Sequence, residues 1–169
     1  MSDPHFNHLN VIPYCNRPFK NVNHMNISII DNVLKTIKDD DKLFLLGDIW
    51  DAEYLKFFNY FEVYFILGNH DKHPKSKYNK IIEVIERYDL KNIIVYENPI
   101  KINSILIISH EPFIGSGPFI NIHGHLHNKF MKNDIQKEKY YINCCVENIN
   151  YTPIKIEELF KQLKNVCKI

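Results

Sequence analysis

The sequence predicts an α/β protein whose first half forms a largely parallel sheet. Two observations lead to this fold class: amphipathic segments with helical spacing alternate with apolar blocks that are too short for ordinary helices. Strands that alternate with helices are typical of a parallel sheet whose crossover connections are the helices. The chain has 169 residues, 45% of them hydrophobic, and no low-complexity tract or linker divides it. We therefore expect a single domain over residues 1–169.

The helices are predicted from apolar side chains that recur every three or four residues. This spacing places surface helices at residues 26–38 and 78–88, and a closing amphipathic helix at residues 157–166. The apolar blocks predict strands at residues 43–46, 63–67, 93–96, 105–108 and 119–122. The second half is richer in strands, and further strands are expected at residues 140–146 and 152–155.

Charge and apolar content argue against two classes of partner. With 21 basic and 20 acidic side chains, the chain offers no surface for holding a long nucleic acid by counterion release. Its apolar runs are far shorter than the ~20 residues that cross a bilayer, so no membrane contact is expected. The four cysteines form no CxxC pair and the chain starts without a signal-peptide pattern. These features predict a reducing, cytoplasmic location in which the cysteines are free thiols.

Four of the predicted strands end in residues of the types that bind metal ions. The residues are Asp48, then Asn69, His70 and Asp71, then His110, and finally His125 and His127. In an open α/β sheet, ligands bind beyond the carboxyl ends of the strands, so these residues would converge on one edge. Gly47, Gly68 and Gly124 stand where the chain must turn sharply and bring its backbone close to a ligand.

The donor set predicts a pair of divalent ions. Carboxylate, imidazole and amide oxygen together suit Mn, Fe, Zn, Ni or Co, and the absence of cysteine argues against a closed structural zinc site. Two ions about 3.5 to 4 Å apart need a bridging carboxylate, for which Asp48 is the candidate. Such a pair holds a hydroxide between the ions and neutralises phosphoryl oxygens. His70 is the expected general acid for the leaving alkoxide, with Asp71 orienting its ring.

Five segments, taken in order, resemble the calcineurin-like metallophosphoesterases. The family pattern is D-x-H, G-D, G-N-H-D/E, a histidine after a strand, and G-H-x-H. Here the segments read Asp3-Pro4-His5, Gly47-Asp48, Gly68-Asn69-His70-Asp71, His110 and Gly124-His125-Leu126-His127. The tail at residues 143–159 and the stretch at residues 15–19 resemble the small members without a cap domain that phages and bacteria carry.

The resemblance implies a fold, a ligand set and a proton donor. The fold would be a four-layer αββα sandwich of two mixed sheets flanked by helices. The first metal site would consist of Asp3, His5, Asp48 and His127. The second metal site would consist of Asp48, Asn69, His110 and His125. His70 would be the proton donor, in agreement with the interpretation from its position beside Asn69.

Two departures from the family pattern concern the first metal site. Only Met1 and Ser2 precede Asp3, so the first strand is expected to be missing or very short. Without that strand, Asp3 and His5 would depend on the sheet closing around a gap, and the first metal is expected to bind weakly. Pro4 fixes φ and removes a backbone donor between the two ligands.

Other polar residues carry weaker interpretations. Arg17 is a candidate clamp for a substrate phosphate, because a guanidinium matches that oxyanion, although an ordinary surface arginine explains it as well. Asn69 is a second candidate substrate contact. The remaining histidines are expected at the surface or in loops, with His123 also a candidate partner of a ligand: His8, His24, His73 and His123.

The expected function is hydrolysis of a small phosphodiester, or a reactive monoester, by a manganese-dependent dinuclear centre. The expected partner is a small phosphate-ester or nucleotide substrate, and the oligomeric state is left open. The main alternative is a binding scaffold that has the fold but little or no activity. A third possibility is a single-metal centre that uses only Asp48, Asn69, His110 and His125.

Overall fold

The computed structural model describes the backbone of residues 1–129 and 139–167, and the side chains of residues 1–129 and 140–161. Its α-helices are α1 (Val11–Tyr14), α2 (Val22–Thr36), α3 (Asn69–Lys72), α4 (Lys75–Arg87) and α5 (Ile156–Cys167). Its strands are β1 (Lys42–Leu45), β2 (Glu62–Ile66), β3 (Ile93–Tyr96), β4 (Ile100–Lys101), β5 (Leu106–Ile108), β6 (Phe119–His123) and β7 (Lys139–Asn143). Two 3₁₀ helices span Ala52–Phe58 and Val146–Ile149.

The first sheet is parallel, as the alternating pattern predicted. Its strand order is β1-β2-β3, with Leu43 opposite Val63 and Val63 opposite Ile93. The 3₁₀ helix Ala52–Phe58 connects β1 to β2, and α3 and α4 connect β2 to β3. Apolar residues on both faces of these strands require cover on both sides, which such crossover connections supply.

The second sheet contains strands of both directions. Its order is β4-β5-β6-β7, in which β4 is antiparallel to β5 and the other pairs are parallel. All three residues of β5 are buried, as are four of the five in β6. The second sheet is therefore also an interior sheet.

Two apolar clusters hold the layers together. One joins the first sheet to α2, α4 and the 3₁₀ helix through side chains such as Met25, Leu45 and Phe65. The other contains side chains of both sheets and of α5, such as Ile66, Ile122 and Leu159, so the two sheets pack against each other. The predicted class, α/β with two sheets flanked by helices, is confirmed. In the described residues only the second sheet is mixed, because the first is entirely parallel.

The amino-terminal residues lie between the two sheets and form no named strand. Leu46 N–H donates to Met1 O at 2.9 Å, and Ser2 N–H donates to Cys144 O at 2.8 Å. Ser2 and Cys145 form an isolated parallel bridge. The expectation of a missing or very short first strand is thus confirmed. The expectation of a gap is wrong, because residues 1–3 pair with the chain after β1 on one side and after β7 on the other.

Some predicted boundaries differ from the structure. The strand expected at residues 152–155 is wrong: this segment has no ladder partner in the described chain, Pro153 offers no N–H, and the Thr152 N–H donates to Ile149 O at 3.1 Å. The strand expected at residues 140–146 ends at Asn143, and a 3₁₀ helix begins at Val146. None of the described helices combines the length and apolar character that crossing a membrane requires.

Candidate metal centre

Strand ends bring the predicted polar residues to one edge of the molecule. Asp48 and Asn69 follow β1 and β2 of the first sheet, whereas His110 follows β5 of the second. The amino-terminal segment joins them, since His5 N–H donates to Asp48 O at 3.1 Å. The structure thus gathers all seven residues expected to bind metal: Asp3, His5, Asp48, Asn69, His110, His125 and His127.

The second site is a compact set of donor atoms. Asn69 Oδ1 lies 3.0 Å from His110 Nε2 and 3.0 Å from His125 Nδ1. The two ring nitrogens are 3.2 Å apart. Adjacent ligands about 2.1 Å from one ion stand about 3.0 Å apart at octahedral angles and about 3.4 Å apart at tetrahedral angles, so this spacing fits a single divalent ion. The Nδ1 of His110 faces Leu46 O at 2.7 Å, which turns Nε2 toward the other ligands.

The first site is wider and contains buried atoms without partners. His5 Nε2 lies 3.8 Å from Asp3 Oδ1, and His127 Nε2 lies 3.9 Å from the same oxygen. Asp3 Oδ1 and His5 Nε2 are buried, and neither has a hydrogen-bond partner in the described chain. A buried polar group without a partner costs about 1–3 kcal/mol. Because a cation between these atoms would remove that cost, the residues fit a divalent metal ion.

In Asp3 and His127 of the first site, the polar atom that points away from the site contacts other protein groups. Asp3 Oδ2 accepts from Ser2 Oγ at 2.5 Å, from His125 N–H at 2.8 Å and from Cys145 Sγ at 3.2 Å. His127 Nδ1 lies 3.0 Å from Glu147 Oε1, an arrangement typical of metal-binding histidines. Asp3 Oδ1 and His127 Nε2, the other polar atoms of these two side chains, therefore face each other across the site.

Asp48 lies between the two sites. Its Oδ2 is 3.7 Å from His5 Nε2 of the first site and 3.6 Å from His110 Nε2 of the second. Burial raises the pKa of Asp48 to about 7. The nearby His110 acts in the opposite direction and lowers this pKa, whereas the negative charge of Asp3 also raises it. Burial also lowers the pKa of His5, which favours the neutral ring that binds metals. The position of Asp48 suits a carboxylate shared by two cations.

Comparison with known proteins decides the family. The sequence model of the calcineurin-like phosphoesterases matches residues 1–164. The chain belongs to the calcineurin-like phosphoesterase family. Membership makes it a metal-dependent phosphoesterase in the general sense and implies divalent metal ions, for which the two residue sets above are the candidates.

Two relatives match this calcineurin-like phosphoesterase over nearly its whole length. An uncharacterized protein of Methanocaldococcus jannaschii is 34% identical over 174 residues, which cover 97% of this chain and 89% of that protein. The crystal structure of a protein of unknown function from Aquifex aeolicus superposes with a TM-score of 0.64 at 26% identity, covering 96% of each chain. The chain is thus similar to these two proteins over nearly its whole length, to the first in sequence and to the second in both sequence and fold.

Five of the seven predicted ligands adopt the left-handed backbone region. Their φ angles are 57° for Asp3, 51° for His5, 54° for Asp48, 67° for His125 and 50° for His127. Each non-glycine residue in this region costs about 1–3 kcal/mol, and such residues cluster at functional sites. The phosphoesterase thus concentrates backbone strain at the positions that would hold its metals.

Glycines allow the ligand loops to approach one another. At Gly47, whose φ is 83°, an added Cβ would lie 2.5 Å from Gly68 N. At Gly124 an added Cβ would lie 1.8 Å from Ser2 Oγ and 2.4 Å from Asp3 Oδ2. The backbone packs closely at these glycines, and the neighbouring atoms belong to the other ligand loops.

His70 stands at the open side of the centre. Its side chain is 49% exposed, and its Nε2 lies 4.0 Å from Asp48 Oδ2. Its backbone N–H donates to Asp48 Oδ1 at 3.0 Å, and its ring meets Trp50 edge-on at 5.4 Å between centroids. An exposed imidazole beside the Asp48 carboxylate is placed where a proton can be exchanged with a ligand or with solvent.

Asp71 has a different role from the predicted one. Its Oδ2 accepts from the N–H groups of Asp48 at 2.7 Å and Gly68 at 2.8 Å, and its Oδ1 accepts from Ile49 N–H at 3.0 Å. The expectation that Asp71 orients the His70 ring is wrong, because its carboxylate is buried and faces these three amides. Asp71 instead joins the loop after β1 to the loop after β2.

Arg17 is not positioned as a substrate clamp. It is 4% exposed, and its Nη1 and Nη2 donate to Pro4 O and Asp3 O, each at 2.8 Å. Its Nε donates to Glu147 Oε1 at 2.9 Å. The expectation of a phosphate contact is wrong, and so is the alternative of a surface arginine, because the guanidinium is buried and bonded to protein acceptors.

The sequence interpretation missed several groups around the centre. His8, expected at the surface or in a loop, lies in the loop before α1, where it stacks on Trp50 with centroids 3.8 Å apart and its Nδ1 is buried. His123 is 1% exposed and its Nδ1 faces Gly124 O at 2.8 Å. Glu147 had no signal, because it follows the end of β7 in a segment without periodicity. Three cysteines are free thiols as predicted, whereas the Cys167 side chain lies outside the described residues.

Proposed function

We propose that this phosphoesterase uses two divalent ions, with Mn²⁺ the first candidate, to hydrolyse small phosphodiesters. The observation that carries the proposal is a pair of donor sets, Asp3-His5-His127 and Asp48-His110-His125, with Asp48 Oδ2 within 3.7 Å of a histidine nitrogen of each. When bound, the ions supply a nucleophile derived from water and neutralise charge on the phosphoryl oxygens. The ligand residues would hold the two ions, with their side chains oriented by the contacts described above.

His70 is the residue we assign to proton transfer. Its exposed ring can reach an alcohol oxygen that leaves on the open side of the centre, while its backbone N–H stays bonded to Asp48. An exposed imidazole also exchanges its proton with solvent between turnovers. We therefore place the departing alcohol on the His70 side of the phosphate.

The side-chain charges of a groove beside the second site favour a phosphodiester over a monoester. A groove beside the second site is lined by Asn69 and His110 together with Lys72, Glu97 and Glu111. The guanidinium of Arg17 is bonded to Asp3, Pro4 and Glu147, so it is not free for a phosphate. A diester carries one negative charge and a monoester up to two, so the diester meets less repulsion from the two groove carboxylates.

The alternatives receive different support. The binding-scaffold alternative predicts substituted ligands, but every residue of the family pattern is in place. The single-metal alternative has one observation in its favour: ligand atoms of the first site lie 3.7 to 3.9 Å apart, against 3.0 to 3.6 Å in the second. We therefore expect the first site to bind its ion more weakly than the second. A small phosphate-ester or nucleotide substrate and a cytoplasmic location complete the proposal.

The test is hydrolysis of bis(p-nitrophenyl) phosphate and p-nitrophenyl phosphate after chelation and reloading with Mn²⁺. We expect the diester to be the better substrate, with activity lost on chelation and restored by the metal. Asp48→Asn should abolish turnover, and His70→Asn should lower kcat by about 10²–10⁴-fold. His24→Asn is the matched control, since His24 is an exposed histidine on α2. Equal activity of wild type and both site variants would sink the proposal.

A further inference from the structure

The first site holds its ligands without the support of a strand. Asp3 and His5 have φ angles of 57° and 51°, and no named strand contains them. The carbonyl oxygens of Asp3 and Pro4 both accept from the guanidinium of Arg17, at 2.8 Å each. Arg17 therefore fixes two successive peptide groups of the ligand segment from one direction.

The same guanidinium is bonded to a buried carboxylate. Arg17 Nη2 lies 2.7 Å from Glu147 Oε1, with side-chain exposures of 0% and 6%. An arginine can do this because its planar fork presents several donors at fixed angles, whereas a lysine ammonium is a single point. The charges of Arg17 and Glu147 offset each other, so the pair adds no net repulsion toward a cation in the adjacent site.

Glu147 in turn orients a ligand. The oxygen that accepts from Arg17 also lies 3.0 Å from His127 Nδ1. This contact turns His127 Nε2 toward Asp3 Oδ1, 3.9 Å away. One carboxylate oxygen thus connects the guanidinium that holds the Asp3–His5 segment to the imidazole that completes the site.

We propose that the buried Arg17–Glu147 pair is the positioning device of the first metal site and determines its affinity for a divalent cation. The proposal rests on the two-metal function above and deepens it. The hydrogen bonds and ion pairs described for Arg17 and Glu147 involve none of Asn69, His110 and His125, so the pair makes no direct bond to these ligands of the second site. Removing Glu147 would leave a buried guanidinium unbalanced beside the first site and His127 without its acceptor.

Mn²⁺ binding measured by titration calorimetry, together with electron paramagnetic resonance, tests the proposal. We expect wild type to bind two ions and to show the spectrum of a coupled pair. Arg17→Lys and Glu147→Gln should retain one ion with unchanged affinity, bind the other about 10- to 100-fold more weakly, and show a mononuclear spectrum. Arg87→Lys and Glu83→Gln, which alter an exposed ion pair on α4, are the matched controls and should bind as wild type does.

A third variant separates positioning from folding. Arg17→Met combined with Glu147→Leu removes both buried charges together, so neither side chain is left as an unpaired charge in the folded protein. This double variant should still lose the weaker ion, because neither the Asp3–His5 segment nor His127 has its partner. Two ions with wild-type affinity in all variants would overturn the inference and leave the proposed function standing. A wild type that binds no Mn²⁺ would overturn both.

Discussion

Replacement of Asp71 tests whether this residue joins two ligand loops. Its carboxylate is 1% exposed and accepts from three backbone N–H groups, at 2.7, 2.8 and 3.0 Å. Asp71→Ala leaves all three donors without a partner, and each such donor costs about 1–3 kcal/mol. Because water can enter the space left by the side chain, we expect a loss at the lower end of the sum, about 3–5 kcal/mol.

The amide variant refines the same prediction. In Asp71→Asn the side-chain oxygen can replace Oδ2 and keep the bonds to Asp48 and Gly68, while its NH₂ group faces Ile49 N–H. One hydrogen bond and the charge are lost, so the expected cost is about 1–3 kcal/mol. The order of stability is therefore wild type, then Asn, then Ala.

Urea-induced unfolding in the presence of a chelator measures these changes without a contribution from metal binding. Far-UV circular dichroism and the fluorescence of Trp50 report the transition, and coincident curves would justify a two-state analysis. Asp89→Asn is the control, because Asp89 is exposed in the turn after α4, and it should change the free energy of unfolding by less than about 0.5 kcal/mol. An Asp71→Ala variant within about 1 kcal/mol of wild type would refute the reasoning.

Two further predictions concern close packing and alkaline stability. Gly124→Ala should cost about 1–3 kcal/mol and weaken the first metal site in calorimetry, because its Cβ would lie 2.4 Å from Asp3 Oδ2. Gly117→Ala, which meets nothing within 4 Å but has a φ of 80°, should cost only about 1–2 kcal/mol and leave metal binding unchanged. Burial raises the pKa of Tyr151 from 10.0 to about 12, so the unfolded chain loses this proton first and the free energy of unfolding falls as pH rises through that interval. Tyr151→Phe should remove this part of the pH dependence in denaturation curves at pH 9 to 11.5; parallel curves for the two proteins would contradict it.

The ligands of the centre could be predicted because their positions depend on local pattern. Asp48, Asn69 and His110 each follow a short apolar block, and the carboxyl ends of such strands meet at one edge of a sheet. The family order of the five segments added Asp3 and His5, which follow no strand. Gly47 and Gly124 were recognisable for a related reason, since a close approach of backbones leaves few other choices of residue.

The groups that hold the ligands could not be predicted, because their environment arises from tertiary packing. Arg17 and Glu147 are 130 positions apart and lie in segments without periodicity, so nothing in the sequence marks them as a buried pair. Asp71 follows His70 directly, but the loop geometry turns its carboxylate toward three amides. Residues 152–155 were expected as a strand, but Pro153 offers no N–H to a ladder and the segment has no ladder partner in the described chain.

The most direct test of the two-metal centre is anomalous diffraction from a crystal of the protein grown with Mn²⁺. Two peaks are expected about 3.5 to 4 Å apart, one on each side of the Asp48 carboxylate. One should lie among Asp3, His5 and His127, and the other among Asn69, His110 and His125. A single peak, or manganese bound away from Asp48, would contradict the account.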